Sequence, residues 1–180
     1  MLYMFFAQGF EEVEAIAALD VIRRADIDVK SVGVGSITVT GSHGIPIVCD
    51  MVSDELANFD GLEGVILPGG MPGTLNLFEN SKVHEAIDFC SSNQKLLAAI
   101  CAAPLILGRK NLLVGKEAVC FPGFEDELVG ASISSNFVSV SDNVITAKGM
   151  GSAVNFGLAI VAYFKGQAFA DKLKSTLQCS

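Results

Sequence analysis

One cysteine occupies a position from which its thiol could act as a nucleophile. Residues 96–100 are a short, continuous apolar run, which favours a strand buried on both faces of a parallel sheet. Cys101 follows that run, and the small Ala102 and Ala103 and then Pro104 suit a tight turn into a helix. We therefore predict that Cys101 lies at a helix N-terminus, whose partial positive charge favours a thiolate, and at the edge where open α/β sheets bind ligands. The alternative is a buried structural cysteine.

A glycine-containing loop is expected at the end of a neighbouring strand. Residues 65–67 predict a buried strand, which ends at Pro68-Gly69-Gly70. Parallel strands bring their carboxyl ends to one edge, so we predict that the N–H groups of Gly70 and Ala102 form an oxyanion hole for developing negative charge. Gly69 is an accessory candidate in the same loop. A plain tight turn is the alternative for this motif.

The sequence motifs do not by themselves fix which residue exchanges protons with the cysteine. A thiolate nucleophile usually has a histidine base, but His43 and His84 both precede Cys101 in the chain. A Cys–His dyad through His43 is the less favoured arrangement. Glu14, in a predicted helix over residues 11–25, is the carboxyl candidate. Burial beside Cys101 would raise its pKa and keep it protonated, so that it can donate a hydrogen bond to the sulfur and carry protons.

Composition limits the classes of function that the chain can have. It has 180 residues, of which 51% are hydrophobic and 18% charged, and this suits one compact domain over residues 1–180. The net charge of -8 argues against a nucleic-acid-binding surface. Five scattered cysteines without a CxxC pair indicate a reducing compartment, with neither a disulfide framework nor a metal site. The sequence contains no apolar stretch long enough to span a membrane, so we expect a cytoplasmic protein.

Strand and helix patterns alternate along the chain. This alternation predicts an α/β fold with a mostly parallel central sheet and helices on both faces. Strands are predicted at 2–7, 27–34, 65–67, 96–100, 117–120, 137–140 and 143–147, and a β-hairpin at 36–40 and 45–48. Helices are predicted at 11–25, 81–92, 152–164 and 167–173, and residues 71–74 are predicted to be a loop.

Several blocks of the sequence, taken together, resemble the DJ-1/ThiJ/PfpI superfamily and its DJ-1-like branch. The resemblance covers nearly the whole chain, with the blocks in order at similar separations. They are the segments 9–15, 20–25, 67–70, 98–104, 149–152 and 155–161, with the sequences GFEEVEA, DVIRRA, LPGG, AAICAAP, GMGS and NFGLAIV.

The resemblance implies a fold, a site and an activity. The fold is a flavodoxin-like three-layer sandwich that forms a homodimer. The site has Cys101 as a reactive, oxidation-prone thiol, Glu14 as its protonated neighbour, and Gly70 and Ala102 as backbone donors. The activity is that of a glyoxalase or deglycase without metal or other cofactor, acting on methylglyoxal, glyoxal or their early adducts with thiols and amines. The alternative is a redox-sensing protein or chaperone with an oxidisable Cys101.

The chain departs from its relatives at two loops. Many relatives have a histidine before the proline of a later loop, where this chain has Phe121 before Pro122, so no Cys–His pair forms there. His43 stands in a hairpin loop where some relatives carry an arginine that reaches the partner's site. His43, Arg24 and Cys120, the last as a candidate resolving thiol, are accessory residues. Ala102 stands where cysteine-peptidase-like relatives have a histidine, which counts against a peptidase or amidotransferase.

Overall fold

A seven-stranded sheet forms the centre of the fold in a computed structural model that describes residues 1–179. Within these residues the strands, in chain order, are β1 (Leu2–Phe6), β2 (Val29–Gly33), β3 (Thr38–Thr40), β4 (Pro46–Val48), β5 (Met51–Val52), β6 (Gly64–Leu67), β7 (Leu96–Ile100), β8 (Glu117–Ala118), β9 (Ser132–Ile133), β10 (Val138–Ser141) and β11 (Val144–Ala147). The helices are α1 (Glu12–Arg24), α2 (Gly73–Glu79), α3 (Ser81–Ser92), α4 (Pro104–Arg109), α5 (Ala153–Lys165) and α6 (Gln167–Thr176).

The order of strands in the sheet is β10-β11-β7-β6-β1-β2-β5, and every pairing is parallel except that of β10 with β11 at one edge. The mostly parallel sheet predicted from the sequence is therefore confirmed. β6 and β7 are neighbours, with Leu67 in register with Ala99, so the loops that follow them leave the sheet at the same edge. The predicted hairpin is the separate β3–β4 pair.

Helices cover both faces of the sheet, because strand residues alternate between its two sides. Tyr3 and Phe5 of β1 pack in one apolar cluster with side chains of α2, α3 and α4. Leu2, Met4 and Phe6 of the same strand pack in a second cluster with α1 and α5. The flavodoxin-like three-layer arrangement is thus confirmed. No helix in the described residues has the length and apolar character needed to cross a membrane.

The main difference from the predicted elements lies after β6. Residues 71–74 were predicted to continue a loop, whereas α2 begins at Gly73. Seven residues are too few to show a helical repeat, and a glycine at the first position favours a turn prediction. The strands β5 and β9 were not predicted, because two residues are likewise too few to show a strand pattern. The helices predicted at 81–92 and 152–164 correspond to α3 and α5.

Candidate active site

Cys101 occupies a sharp junction between β7 and the turn that leads into α4. Its φ angle is +65°, in the left-handed region that residues with a side chain seldom adopt. Two hydrogen bonds hold this conformation: the Cys101 N–H donates to the carbonyl of Ala147 at 2.9 Å, and the Cys101 carbonyl accepts from the N–H of Phe121 at 2.8 Å. Pro104 stands in the first turn of α4, as predicted. The thiol is partly exposed to solvent at this junction.

Gly69 lets the cysteine and the Glu14 carboxyl approach each other. The Gly69 N–H donates to Glu14 Oε2 at 3.1 Å. A Cβ atom at Gly69 would lie 2.6 Å from Cys101 Cβ and 2.6 Å from Glu14 Oε2, closer than real Cβ contacts come. The structure therefore brings together Cys101, Glu14 and Gly69, which the sequence placed in three separate segments.

The first turn of α1 positions Glu14. Glu11 caps the helix, since its carboxylate accepts a hydrogen bond from the Glu14 N–H at 2.7 Å. The Glu11 N–H in turn donates to the carbonyl of Gly69 at 2.9 Å. This contact joins the start of α1 to the loop after β6. As a result, the Glu14 carboxyl points into the interior, and the residue is only 1% exposed.

The buried position of Glu14 sets its protonation state. Burial raises the pKa of Glu14 from 4.5 to about 7, and the nearby charge of Glu11 acts in the same direction. Hydrogen bonds from Cys101 and from the N–H groups of Gly69 and Met150 oppose the rise, because they stabilise the carboxylate. The carboxyl therefore keeps its proton to near neutrality, in the predicted direction.

The thiol of Cys101 departs from the prediction. Burial raises the pKa of Cys101 to about 12, and the charge of Glu14 and the hydrogen bond to it act in the same direction. The N–H groups of Ala102 and Gly70 lower this pKa but do not outweigh the other causes. The predicted preference for a thiolate over a thiol is therefore wrong, although the N–H groups beside the sulfur do stabilise negative charge on it. Loss of water around the sulfur outweighs the charge of a helix that has only six residues.

Cys101 and Glu14 titrate as a pair, because their side chains are hydrogen-bonded to each other. Burial raises both pKa values, that of Glu14 to about 7 and that of Cys101 to about 12, so the pair keeps at least one proton at neutral pH. That proton lies either on the sulfur beside a carboxylate or on Glu14 beside a thiolate. The N–H groups of Gly70 and Ala102 stabilise the thiolate form, but burial leaves the form with the proton on the sulfur the more stable of the two.

The accessory residues predicted from the sequence have other contacts. His43 lies exposed in the β3–β4 loop, and its Nδ1 is 2.9 Å from Oε2 of the buried Glu12. Arg24, at the end of α1, pairs on the surface with Asp20 at 2.6 Å. Cys120 is buried, and burial raises the pKa of its thiol to about 11. None of the contacts made by these three side chains involves Cys101 or Glu14.

The loop between β11 and α5 belongs to the site but was not predicted to. The Met150 N–H hydrogen-bonds the Glu14 carboxyl, and a Cβ atom at Gly149 would lie 3.8 Å from Glu14 Oε1. Ser152 holds the loop: its Oγ accepts from the Gly149 N–H at 3.2 Å and donates to the Gly149 carbonyl at 2.7 Å. The sequence did contain a signal for this loop, because Gly149 and Gly151 follow a strand that ends at the same edge of the sheet as β6 and β7.

One cluster in the described residues has the composition of a metal site. Glu11, Glu12 and His43 each place one ligand atom within 4.8 Å of the others. These atoms already have partners, since Glu11 accepts from the Glu14 N–H and Glu12 accepts from the N–H of His43 at 2.7 Å. We assign no metal to this cluster.

The fold and the site together define a class of protein: a parallel α/β sandwich with a cysteine at a strand-to-helix junction, hydrogen-bonded to a buried carboxyl group. Comparison with known proteins agrees with this class. Residues 1–163 match the family model described as the DJ-1/PfpI family. The chain belongs to this family.

Individual relatives span several kingdoms. Protein DJ-1 homolog B of Arabidopsis thaliana is 35% identical over 95% of this chain and 40% of its own length, so the chain spans less than half of that relative. The glutathione-independent glyoxalase DJR-1.2 of Caenorhabditis elegans is 31% identical over 93% of this chain and 89% of its own length. The solved structure of oxidized Toxoplasma gondii DJ-1 superposes with a TM-score of 0.94 at 28% identity, covering 99% of this chain and 98% of that one.

Proposed function

We propose that the protein is a cofactor-independent glyoxalase and deglycase, which converts methylglyoxal or glyoxal, free or in early adducts with thiols and amines, into hydroxy acids. The observation that carries the proposal is the hydrogen-bonded pair of Cys101 and the buried Glu14, which keeps at least one proton at neutral pH. Such a pair supplies a nucleophile and an acid–base group at once. The glyoxalase name of the Caenorhabditis elegans relative supports the same activity.

The chemistry begins when the shared proton lies on Glu14. The Cys101 thiolate adds to the aldehyde carbon of methylglyoxal, and the proton of Glu14 passes to the oxygen, so that a hemithioacetal forms and Glu14 becomes a carboxylate. The N–H groups of Gly70 and Ala102 lie beside the sulfur, where they can stabilise negative charge that develops on this oxygen.

Glu14 then moves a second proton. Its carboxylate takes the hydrogen from the former aldehyde carbon and returns it to the neighbouring carbonyl carbon, while the hydroxyl proton moves from the first oxygen to the second, which gives a thioester of lactate. Water hydrolyses the thioester, releases lactate and restores the thiol. The net reaction adds one water to methylglyoxal and needs no oxidant. With glyoxal the product is glycolate, and with an adduct the amine or thiol leaves as the thiolate takes its place.

A lactate assay with methylglyoxal tests the proposal. Cys101→Ala should lower the rate at least about a thousandfold because the nucleophile is lost, and Glu14→Gln about a hundredfold or more because proton transfer is lost. Cys179→Ala is the matched control, since it removes another partly exposed thiol and should leave the rate unchanged. Absence of lactate with the wild-type protein, or a rate that survives Cys101→Ala, would overturn the proposal.

A second candidate function is redox sensing by the same cysteine. It is favoured by a sulfur that is partly exposed while N–H groups and a protonated carboxyl surround it, because these donors would hold the oxygens of a sulfinic acid. Two equivalents of peroxide oxidise the thiol to the sulfinic acid and are reduced to water. We expect mass spectrometry after mild peroxide treatment to find two added oxygen atoms on Cys101 before any on Cys179. Equal oxidation of both thiols would contradict the sensor.

A further inference from the structure

A cavity of about 390 Å³ opens beside the candidate active site. Its walls are mainly apolar side chains, with Phe121 and Pro122 from the segment after β8, Phe137 from the segment before β10, and Met150 from the loop before α5. Phe121, Phe137 and Met150 are all exposed, and Phe137 has 66% of its surface open to solvent. Three large apolar side chains around one concave site are typical of a pocket that binds an apolar group.

Residues that line the cavity also contact the reacting residues. Gly149 lines it, and a Cβ atom at this residue would lie 3.3 Å from the Phe121 ring and 3.8 Å from Glu14 Oε1. Met150, a wall residue, gives its backbone N–H to the Glu14 carboxyl. Phe121, another wall residue, gives its N–H to the carbonyl of Cys101. The cavity and the reacting pair therefore share Phe121 and Met150, whose N–H groups bind Cys101 and Glu14.

Lys148 is the charged residue that lines the cavity, and its position keeps the walls mainly apolar. Lys148 places its ammonium 5.5 Å from the centre of the Phe137 ring, so its charge interacts with the face of the ring. Its methylene groups then line the cavity next to Gly149 and Met150. A methyl group, the substituent of methylglyoxal, would leave most of the 390 Å³ unfilled.

We propose that this cavity is a substituent pocket that makes α-oxoaldehydes with an aryl or branched alkyl group better substrates than methylglyoxal. The inference rests on the proposed glyoxalase function and adds the substrate class. The carbonyl pair would meet Cys101 and Glu14, and the apolar substituent would lie between the rings of Phe121 and Phe137. Burying the substituent replaces water along the exposed ring faces, which strengthens substrate binding.

Comparison of phenylglyoxal with methylglyoxal tests the pocket. In initial-rate assays, the wild-type kcat/KM for phenylglyoxal should exceed that for methylglyoxal by at least about tenfold, the lower end of the discrimination an apolar pocket gives, and mainly through a lower KM. Phe137→Ala should reduce the ratio of the two kcat/KM values about tenfold. Phe169→Ala, which removes another exposed ring on α6, should leave the ratio unchanged.

The outcomes separate the pocket from the activity. Turnover of both substrates with equal efficiency, and a ratio that Phe137→Ala does not change, would overturn the pocket and leave the glyoxalase proposal intact. A ratio that stays constant while Phe137→Ala alters the oligomeric state in size-exclusion chromatography would also overturn it, because a second copy of the chain would then cover the cavity.

If the protein consumes neither substrate, the glyoxalase proposal is overturned. Binding of the two products would then test the pocket. Mandelate and lactate are the hydroxy acids expected from phenylglyoxal and methylglyoxal. Calorimetry should show mandelate binding at least about tenfold more tightly than lactate to the wild-type protein, with the difference lost in Phe137→Ala. Equal affinities would overturn the pocket as well.

Discussion

Glu14 and Cys101 each lose hydration when the chain folds, and the resulting penalty on charge decides their joint behaviour. For the carboxyl, burial raises the pKa to about 7, so the proton that an exposed glutamate gives up remains in the site. For the thiol, burial raises the pKa to about 12; the charge of Glu14 adds to this rise, and the nearby N–H groups of Ala102 and Gly70 oppose it. The cysteine therefore stays a thiol at neutral pH unless its proton passes to the Glu14 carboxylate, a transfer that leaves the pair with a single negative charge.

Retaining a proton on Glu14 has a measurable effect on stability. The folded-state pKa, about 7, is above the ordinary value of 4.5, so the unfolded chain binds fewer protons between these values and stability falls as pH rises. The full shift corresponds to about 3 kcal/mol. We expect Glu14→Gln, which cannot ionise, to be more stable than the wild-type protein above about pH 8 by up to this amount, with the difference shrinking towards pH 4.5. Urea unfolding across this pH range provides the measurement.

The control for this prediction is Glu79→Gln. Glu79 is an exposed carboxyl at the end of α2, so its substitution should change the free energy of unfolding little and by similar amounts across the pH range. A Glu14→Gln variant that gains no stability relative to the wild-type protein as pH rises would show that the carboxyl is hydrated or charged in the folded protein.

At the scale of elements, the site depends on loops from three parallel strands that end at one edge of the sheet. The loop after β6 supplies Gly69 and Gly70, the turn after β7 supplies Cys101, and the loop after β11 supplies the N–H of Met150. The first turn of α1 fits among these loops and brings the carboxyl. The geometry therefore depends on how closely the backbones approach, and glycine at position 69 permits the close approach of Cys101 and Glu14.

Gly69→Ala tests this dependence on backbone approach. The added methyl group would be 2.6 Å from both Cys101 Cβ and Glu14 Oε2, so it must push the nucleophile and the acid apart. We expect the lactate-forming rate to fall at least about a hundredfold, since misplacing reacting groups by an ångström has effects of this size. The free energy of unfolding should also decrease, by about 1–3 kcal/mol for overpacking.

Gly61→Ala separates the two effects of that substitution. Gly61 has a φ of +76° and open space around its Cα, so alanine there strains the backbone without touching the site. It should lower stability by about 1 kcal/mol while the activity of the folded protein stays unchanged. Equal activities of the Gly69→Ala and wild-type proteins would show that the loop adjusts and that the close contact is dispensable.

The sequence predicted the elements of the site better than their electrostatics. Local patterns were sufficient for the strand before Cys101 and for the glycine loop beside it, because both depend on short apolar runs and on turn residues. The pKa of Cys101 was predicted in the wrong direction, since desolvation depends on how many atoms pack around the sulfur, and only the folded chain defines this. Met150 was missed because it contributes only a backbone N–H, which its residue type does not reveal, although the glycines on either side of it mark the loop.

At the scale of the whole molecule, the surface contains an apolar face that the described chain does not cover. Val13 and Ile16 of α1 are exposed beside Ile45 of the hairpin segment, and they border a shallow cavity. Glu12 ties the two elements together, because its carboxylate accepts hydrogen bonds from the N–H and Nδ1 of His43. Contiguous exposed apolar residues of this kind mark protein–protein contacts.

This face is where we expect the homodimer implied by the sequence resemblance to form. A two-fold interface requires one self-complementary patch on each copy, and a helix that places its own apolar stripe against that of its partner meets this requirement.

The prediction is that the wild-type protein has the mass of a dimer in size-exclusion chromatography with light scattering. Ile16→Asp should shift it to a monomer, because two carboxylates would be buried next to each other across the axis. Val114→Asp places the same charge on an exposed valine outside this face and should leave the dimer intact. A wild-type monomer, or a dimer that survives Ile16→Asp, would show that α1 does not form the interface.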